Sequence, residues 1–329
     1  MSGDSVSRPL AGHAPARRLA ARAGAILICF TCTSCGGDTP TGPTAPSTPT
    51  TPAIPPTAPT PTPPPPAPPQ VFVGAGDIGL CGSAGPALTG RLLDGIGGTV
   101  FTLGDNAYFS GTAREYRDCY DPYWGRHKGR TRPVPGNHEY ETPGATPYFD
   151  YFGSNAGPSG LGYYSFPLGE WHVIALNSNP PQVPVSANSA QGAWLRADLA
   201  ASQSRCTLAY WHHPLFSSGP NGDSPQMRDF WRLLYDAGVD VILAGHDHDY
   251  ERFAPQDPDG RFDPSRGIRQ FVVGTGGAAS YNFITVRANS EVRLTPVFGV
   301  LKLTLQTDTY QWEFIATSGV GDSGTGSCH

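Results

Sequence analysis

The 329 residues carry a formal net charge of −5, with 38% hydrophobic residues, 41 glycines and 35 prolines. Residues 1–35 hold four arginines and one aspartate, which leaves the rest of the chain at −8. That field repels polyanions and excludes non-specific nucleic-acid binding as the main role; it also disfavours anionic substrates unless bound cations reverse it locally.

Arg17, Arg18 and Arg22 precede "AGAILICFTCTSC". An apolar run of about ten residues suits a signal-peptide core and is too short to span a bilayer. "CTSCGGD" resembles a bacterial lipobox, with Cys35 as the acylated residue and Cys32 where that pattern usually has leucine. The resemblance implies an exported protein, periplasmic or at the cell surface, tethered to the membrane only through lipidated Cys35. Cleavage without lipidation is the alternative. Residues 36–70 hold 15 of the prolines and a single charge, Asp38. They read as a disordered linker of polyproline II bias, able to reach on the order of 100 Å. Residues 71–329 are expected to form one catalytic domain, long enough to bury a large core.

Five short apolar segments follow, each ending in polar side chains. "VFVGAGDIG" ends at Asp77; "GTVFTLGDNAY" at Asp105, with Asn106 and Tyr108 behind it; "TRPVPGNHEY" at Asn137, His138 and Glu139; "CTLAYWHHP" at His212 and His213; "DVILAGHDH" at His246 and His248. Helical patterns lie between several of them: "PALTGRLLDGI", "QGAWLRADLAAS" and "SPQMRDFWRLLYDAG", the last stopped by Gly238. Strand, helix and strand in alternation predict a largely parallel sheet, whose ligands sit beyond the carboxyl ends of the strands. Five clusters at the same end of five strands point to one shared metal site. Carboxylates, an amide oxygen and imidazoles without thiolate suit Fe, Mn or Zn. The donors exceed the needs of one ion, and two ions clamping one substrate suit phosphate-ester hydrolysis.

"GDIG", "GDNAY", "GNHE", "HHP" and "GHDH" resemble the five motif blocks of the calcineurin-like metallophosphoesterases, in the family's order. The tyrosine of "GDNAY" is similar to that of the purple acid phosphatases, above all their short single-domain form. The resemblance implies an α/β fold, a two-sheet α/β sandwich with flanking helices. Asp77, Tyr108 and His248 would hold one metal, Fe³⁺; Asn137, His212 and His246 a second, divalent Fe, Zn or Mn; Asp105 would bridge both. Pro214 sets the register that selects His212 over His213. His138 would face the phosphoryl group and protonate the leaving oxygen. The implied activity is hydrolysis of small phosphate monoesters by attack of metal-activated hydroxide. The alternatives are a phosphodiesterase or nucleotide hydrolase on the same metals, and a metal-binding surface lipoprotein with little turnover. The family's further histidine beyond the fourth block is missing from "SSGPNGDSP", and His213 or Asn221 is the candidate substitute for substrate binding. Nothing in the sequence fixes the oligomeric state.

Four cysteines remain beyond the export segment: Cys81, Cys119, Cys206 and Cys328. An even number in an exported domain predicts two disulfides. Cys81–Cys119 with Cys206–Cys328 is the favoured pairing, because Cys81 and Cys119 each trail a motif loop. "DPDGRFD" reads as a turn, "GTGGA" as a glycine-rich turn at the site edge, His172 as structural, and Arg130 and Arg132 as solvated. "FGVLKLTLQTDTYQWEFI" predicts a hairpin turning near Asp308 and supplying the second sheet.

Overall fold

The computed structural model describes residues 68–329 together with Gly42. The export segment, Cys35 and nearly all of the Pro/Thr-rich linker lie outside the described residues. Among the described residues no helix is long and apolar enough to cross a membrane.

Two mixed sheets face each other. One has six strands in the spatial order 322–327, 309–316, 299–305, 70–75, 99–103 and 131–134; the last three are mutually parallel. The other has seven, in the order 290–294, 250–253, 269–273, 241–244, 206–210, 171–175 and 164–168, with a parallel centre from 269–273 to 171–175. The inner faces interlock through aromatic side chains. Phe72 meets Tyr210 at a ring separation of 5.5 Å, and Phe271 meets Trp312 at 5.7 Å. The outer face of the second sheet buries Ile174, Ala209, Ile242 and Val272 against Leu195, Phe230, Trp231 and Leu234 of two helices. Strands covered on both faces are apolar without alternation, which is why Val241–Ala244 reads "VILA" and is wholly buried. This is the two-sheet α/β arrangement with flanking helices expected from the sequence.

The three helices expected from the sequence fall at Gly85–Asp94, Ala190–Ala201 and Arg228–Asp236, and a shorter one lies at Thr146–Phe152. Ser189 caps the second by accepting from the Gly192 N–H, and Gly238 (φ 76°) leaves the third in the left-handed region. The disulfides are Cys81–Cys119 and Cys206–Cys328, with Cα separations of 5.0 and 5.5 Å.

Two expectations need correction. The 299–316 hairpin does form, but it extends the first sheet: Gly299–Leu305 pairs antiparallel with Gln70–Ala75. The second sheet comes from residues 164–294. Arg130 is half-buried rather than free in solvent; its guanidinium donates to the carbonyls of Gly98 (2.7 Å) and Leu93 (2.9 Å), satisfying acceptors at and beyond the end of the first helix.

Candidate metal centre

Three of the five segments end in the same local construction. Gly76-Asp77, Gly104-Asp105 and Gly245-His246 each follow a strand directly, and Asp77, Asp105 and His246 adopt left-handed backbone at φ 60°, 50° and 73°. Such conformations cost of order 1–3 kcal/mol for non-glycine residues and persist only where the surroundings enforce them. Here backbone hydrogen bonds knot the exits together: Asp77 N–H donates to Gly104 O at 3.0 Å, and Gly245 N–H to His212 O at 2.9 Å. Gly136 is glycine because a Cβ there would strike the Asp105 carboxylate.

Each carboxylate is half committed. Asp77 Oδ2 accepts from the His246 N–H at 2.9 Å, and Asp105 Oδ1 from the His138 N–H at 2.9 Å. Their other oxygens turn inward. Tyr108 Oη lies 2.8 Å from Asp77 Oδ1, 3.1 Å from Asp105 Oδ2 and 3.1 Å from His248 Nε2. On the other side of Asp105 Oδ2, His212 Nε2 stands 3.3 Å away, 3.0 Å from Asn137 Oδ1 and 3.1 Å from His246 Nδ1. Two groups of donors thus share one carboxylate oxygen.

The imidazoles are oriented from behind. His212 Nδ1 donates to Leu103 O at 2.7 Å and His248 Nδ1 to Ala279 O at 2.8 Å. Those bonds leave the Nε2 lone pairs pointing at carboxylate, amide and phenol oxygens, an arrangement that calls for a positive charge between them. The electrostatics agree. Burial works to lower the His212 pKa, yet the Asp105 carboxylate prevails and holds it up at about 9. Burial likewise opposes ionisation of Asp105, but the His212 charge holds it well below the carboxylate range. Burial and His212 pull His246 down to about 4. Burial, then the charges of Asp105 and Asp77, hold the Tyr108 hydroxyl far above its ordinary value, so only a strong cation ionises it. A proton on His212 is the smallest charge that satisfies this cluster. Metal cations satisfy it better: donors about 2.1 Å from an ion and at right angles stand about 3 Å apart, close to the spacings here. The residues fit a pair of ions.

His138 sits at the rim. Its Nδ1 is held by Phe109 O at 2.5 Å, and its Nε2 faces inward, 3.8 Å from Asp105 Oδ2. His213 lies beyond His246, their rings 4.5 Å apart, with Nδ1 2.8 Å from Ser178 Oγ. Burial and its two histidine neighbours depress its pKa well below the usual range. The Asn221 amide donates to His246 O at 2.9 Å and so braces the loop.

Three further residues shape the site, Glu139 of the third segment among them, and none has a role assigned from the sequence. Buried Glu139 accepts from the N–H groups of Asp105 (3.0 Å), Asn106 (2.8 Å), Ala107 (3.3 Å) and Gly136 (2.7 Å) and from the Tyr116 hydroxyl (3.0 Å). It ties the second motif loop to the third. Burial and the Asp105 charge push its pKa up to about 7, against the pull of those donors. Ala279 holds His248 through its carbonyl, and Tyr281 stacks flat on His248 with ring centroids 4.0 Å apart. The "GTGGA" turn that leads into this segment is part of the site wall, since Ala278 N–H donates to Asp77 O at 2.8 Å.

The calcineurin-like phosphoesterase family model matches residues 71–250, which include every side chain of the cluster. The chain belongs to the calcineurin-like phosphoesterase family. Within that family it is similar to purple acid phosphatase 21 of Arabidopsis thaliana, 34% identical over 166 residues, covering 43% of this chain and 37% of that protein. The probable purple acid phosphatase 20 of the same plant is 29% identical over 230 residues, 60% of this chain and 52% of that protein. The chain therefore spans about a third to a half of the curated relatives it matches. Its fold is shared with the solved structure of purple acid phosphatase PPD1 from yellow lupin (Lupinus luteus) seeds. There the TM-score is 0.68 at 22% identity, over 79% of this chain and 54% of that one. It is also shared with GAP50 of Plasmodium, an inner-membrane-complex anchor, at a TM-score of 0.60 and 15% identity, over 79% and 89% of the two chains.

Proposed function

We propose that this calcineurin-like phosphoesterase is a dinuclear metal-dependent phosphatase of the purple acid type, acting on small phosphate monoesters. Asp77, Tyr108 and His248 would hold Fe³⁺; Asn137, His212 and His246 a divalent Fe, Zn or Mn; Asp105 would serve both. The observation that carries the reading is the position of Asp105 Oδ2 between two groups of inward-facing donors.

Bound cations supply neutralisation of the phosphoryl charge and activation of water. The chain's own residues do the rest. Asp77 and Asp105, each pinned at one oxygen, keep the donor atoms in place through turnover. His138, with Nδ1 committed to Phe109 O, offers only Nε2 to the substrate and protonates the leaving oxygen from there, a role worth about 10²–10⁴-fold. His213 stays neutral. Its Nδ1 is paired with Ser178 Oγ, and its Nε2 would be the ring atom offered to a phosphoryl oxygen. This is a weaker substitute for the histidine missing from the fourth loop.

The same reading places residues 71–329 as the catalytic domain, carried on the 36–70 linker behind an export segment anchored at Cys35. Radiolabelled palmitate entering the wild type but not Cys35→Ser is the expected outcome for the anchor. For the centre itself, the test is elemental analysis with a visible spectrum on protein purified without chelator. Two metals per chain and a purple band lost in Tyr108→Phe are expected. A colourless, iron-free but active protein would remove Fe³⁺ and the phenolate, and protein binding no metal would remove the function.

A further inference from the structure

Phe109 follows the proposed ligand Tyr108, and its two halves do different things. Its carbonyl fixes His138 Nδ1 at 2.5 Å. Its ring stands 65% exposed, the centroid 6.3 Å from that of His138 and 5.9 Å from that of Tyr108. Exposure alone carries no meaning for a single surface phenylalanine; the position does. His138 faces the leaving oxygen in the reading above, so the organic part of an ester departs along the side where His138 and Phe109 lie together. Tyr281, at another edge of the site, is already stacked on His248 and has that face occupied. The Phe109 ring has tilted or edge-on aromatic neighbours and is stacked on none of them, which leaves exposed ring surface for a flat ligand.

We infer that Phe109 forms a stacking subsite for a flat aromatic leaving group, directing the centre towards aryl rather than alkyl phosphate monoesters. This inference rests on the phosphatase reading. Phe109→Ala keeps the carbonyl that holds His138 and removes only the ring. Stacking on one aromatic side chain, with the apolar surface it covers, is worth about 5- to 10-fold in affinity.

The test is calorimetric binding of phenylphosphonate and methylphosphonate, in which carbon replaces the ester oxygen, to metal-loaded wild type and Phe109→Ala. Wild type is expected to prefer phenylphosphonate by about 5- to 10-fold, with the preference abolished in the variant and the methylphosphonate affinity unchanged. Phe109→Leu, which keeps bulk without the ring face, is expected to lower the preference as well and serves if alanine disturbs the loop. A preference that survives both substitutions, or no preference in the wild type, overturns the inference and leaves the phosphatase reading standing. If neither phosphonate binds metal-loaded wild type, the phosphatase reading fails and the subsite with it.

Discussion

The amino and carboxyl ends of the parallel strands treat buried aspartates in opposite ways. Asp240, just before the strand Val241–Ala244, has both oxygens satisfied within the chain: Oδ2 by the Thr207 N–H at 2.8 Å, Oδ1 by the His329 N–H at 3.0 Å and ring at 2.9 Å. Nearby, Cys206–Cys328 fastens the same end covalently. Asp77 and Asp105, at the carboxyl ends, have one oxygen held by a backbone N–H and the other turned into the shared cluster of Tyr108, His212 and His248, on left-handed backbone. One end is closed on itself. The other keeps backbone strain and crowds acceptors around one point where a positive charge is favoured, and such concentrated demand marks a binding centre.

The difference can be broken most severely at Asp105. Asp105→Asn removes the shared charge; phosphomonoesterase activity is expected to fall at least about 10³-fold. His246→Ala should do the same, with far-UV circular dichroism unchanged in both. Wild-type turnover in either would contradict the assignment. Glu139→Gln is expected next, at about 10–100-fold in metal affinity. An amide cannot accept from five donors, so the second and third motif loops drift apart. Equilibrium dialysis reads this directly, and unchanged affinity would reduce Glu139 to a packing residue.

Most of the site is legible in the sequence because strand, glycine and ligand recur together at Asp77, Asp105 and His246. The role of Glu139 is not, because three of its five partners are backbone N–H groups of residues 105–107, about thirty positions away. Ala279 contributes a carbonyl that any residue type provides. The hairpin of residues 299–316 is readable as a hairpin, but periodicity does not say which sheet edge it joins; pairing with Gln70–Ala75 is a tertiary fact.

Asp240→Asn sharpens the comparison from the closed end. It should cost about 1–3 kcal/mol of stability by removing an acceptor from a buried network, with activity per folded molecule unchanged. A selective loss of activity would mean the two ends are not separate. The smallest effect is in pH. His212 in the metal-free protein is raised to about 9. A raised imidazole stabilises the fold fully below its unfolded value, and the benefit is lost as pH climbs through about 9. Metal-free wild type should therefore lose melting temperature between about pH 6.5 and 9 more steeply than metal-free His212→Gln. Metal uptake at neutral pH should release protons and weaken as pH falls. Parallel melting curves would show that the carboxylates do not draw charge to this position.

The most direct test is anomalous diffraction from crystals of protein purified without chelator. Two peaks flanking Asp105 Oδ2, about 3.5–4 Å apart, are the expected result. A single peak, or none near Asp105 at full metal loading, would contradict a shared dinuclear centre.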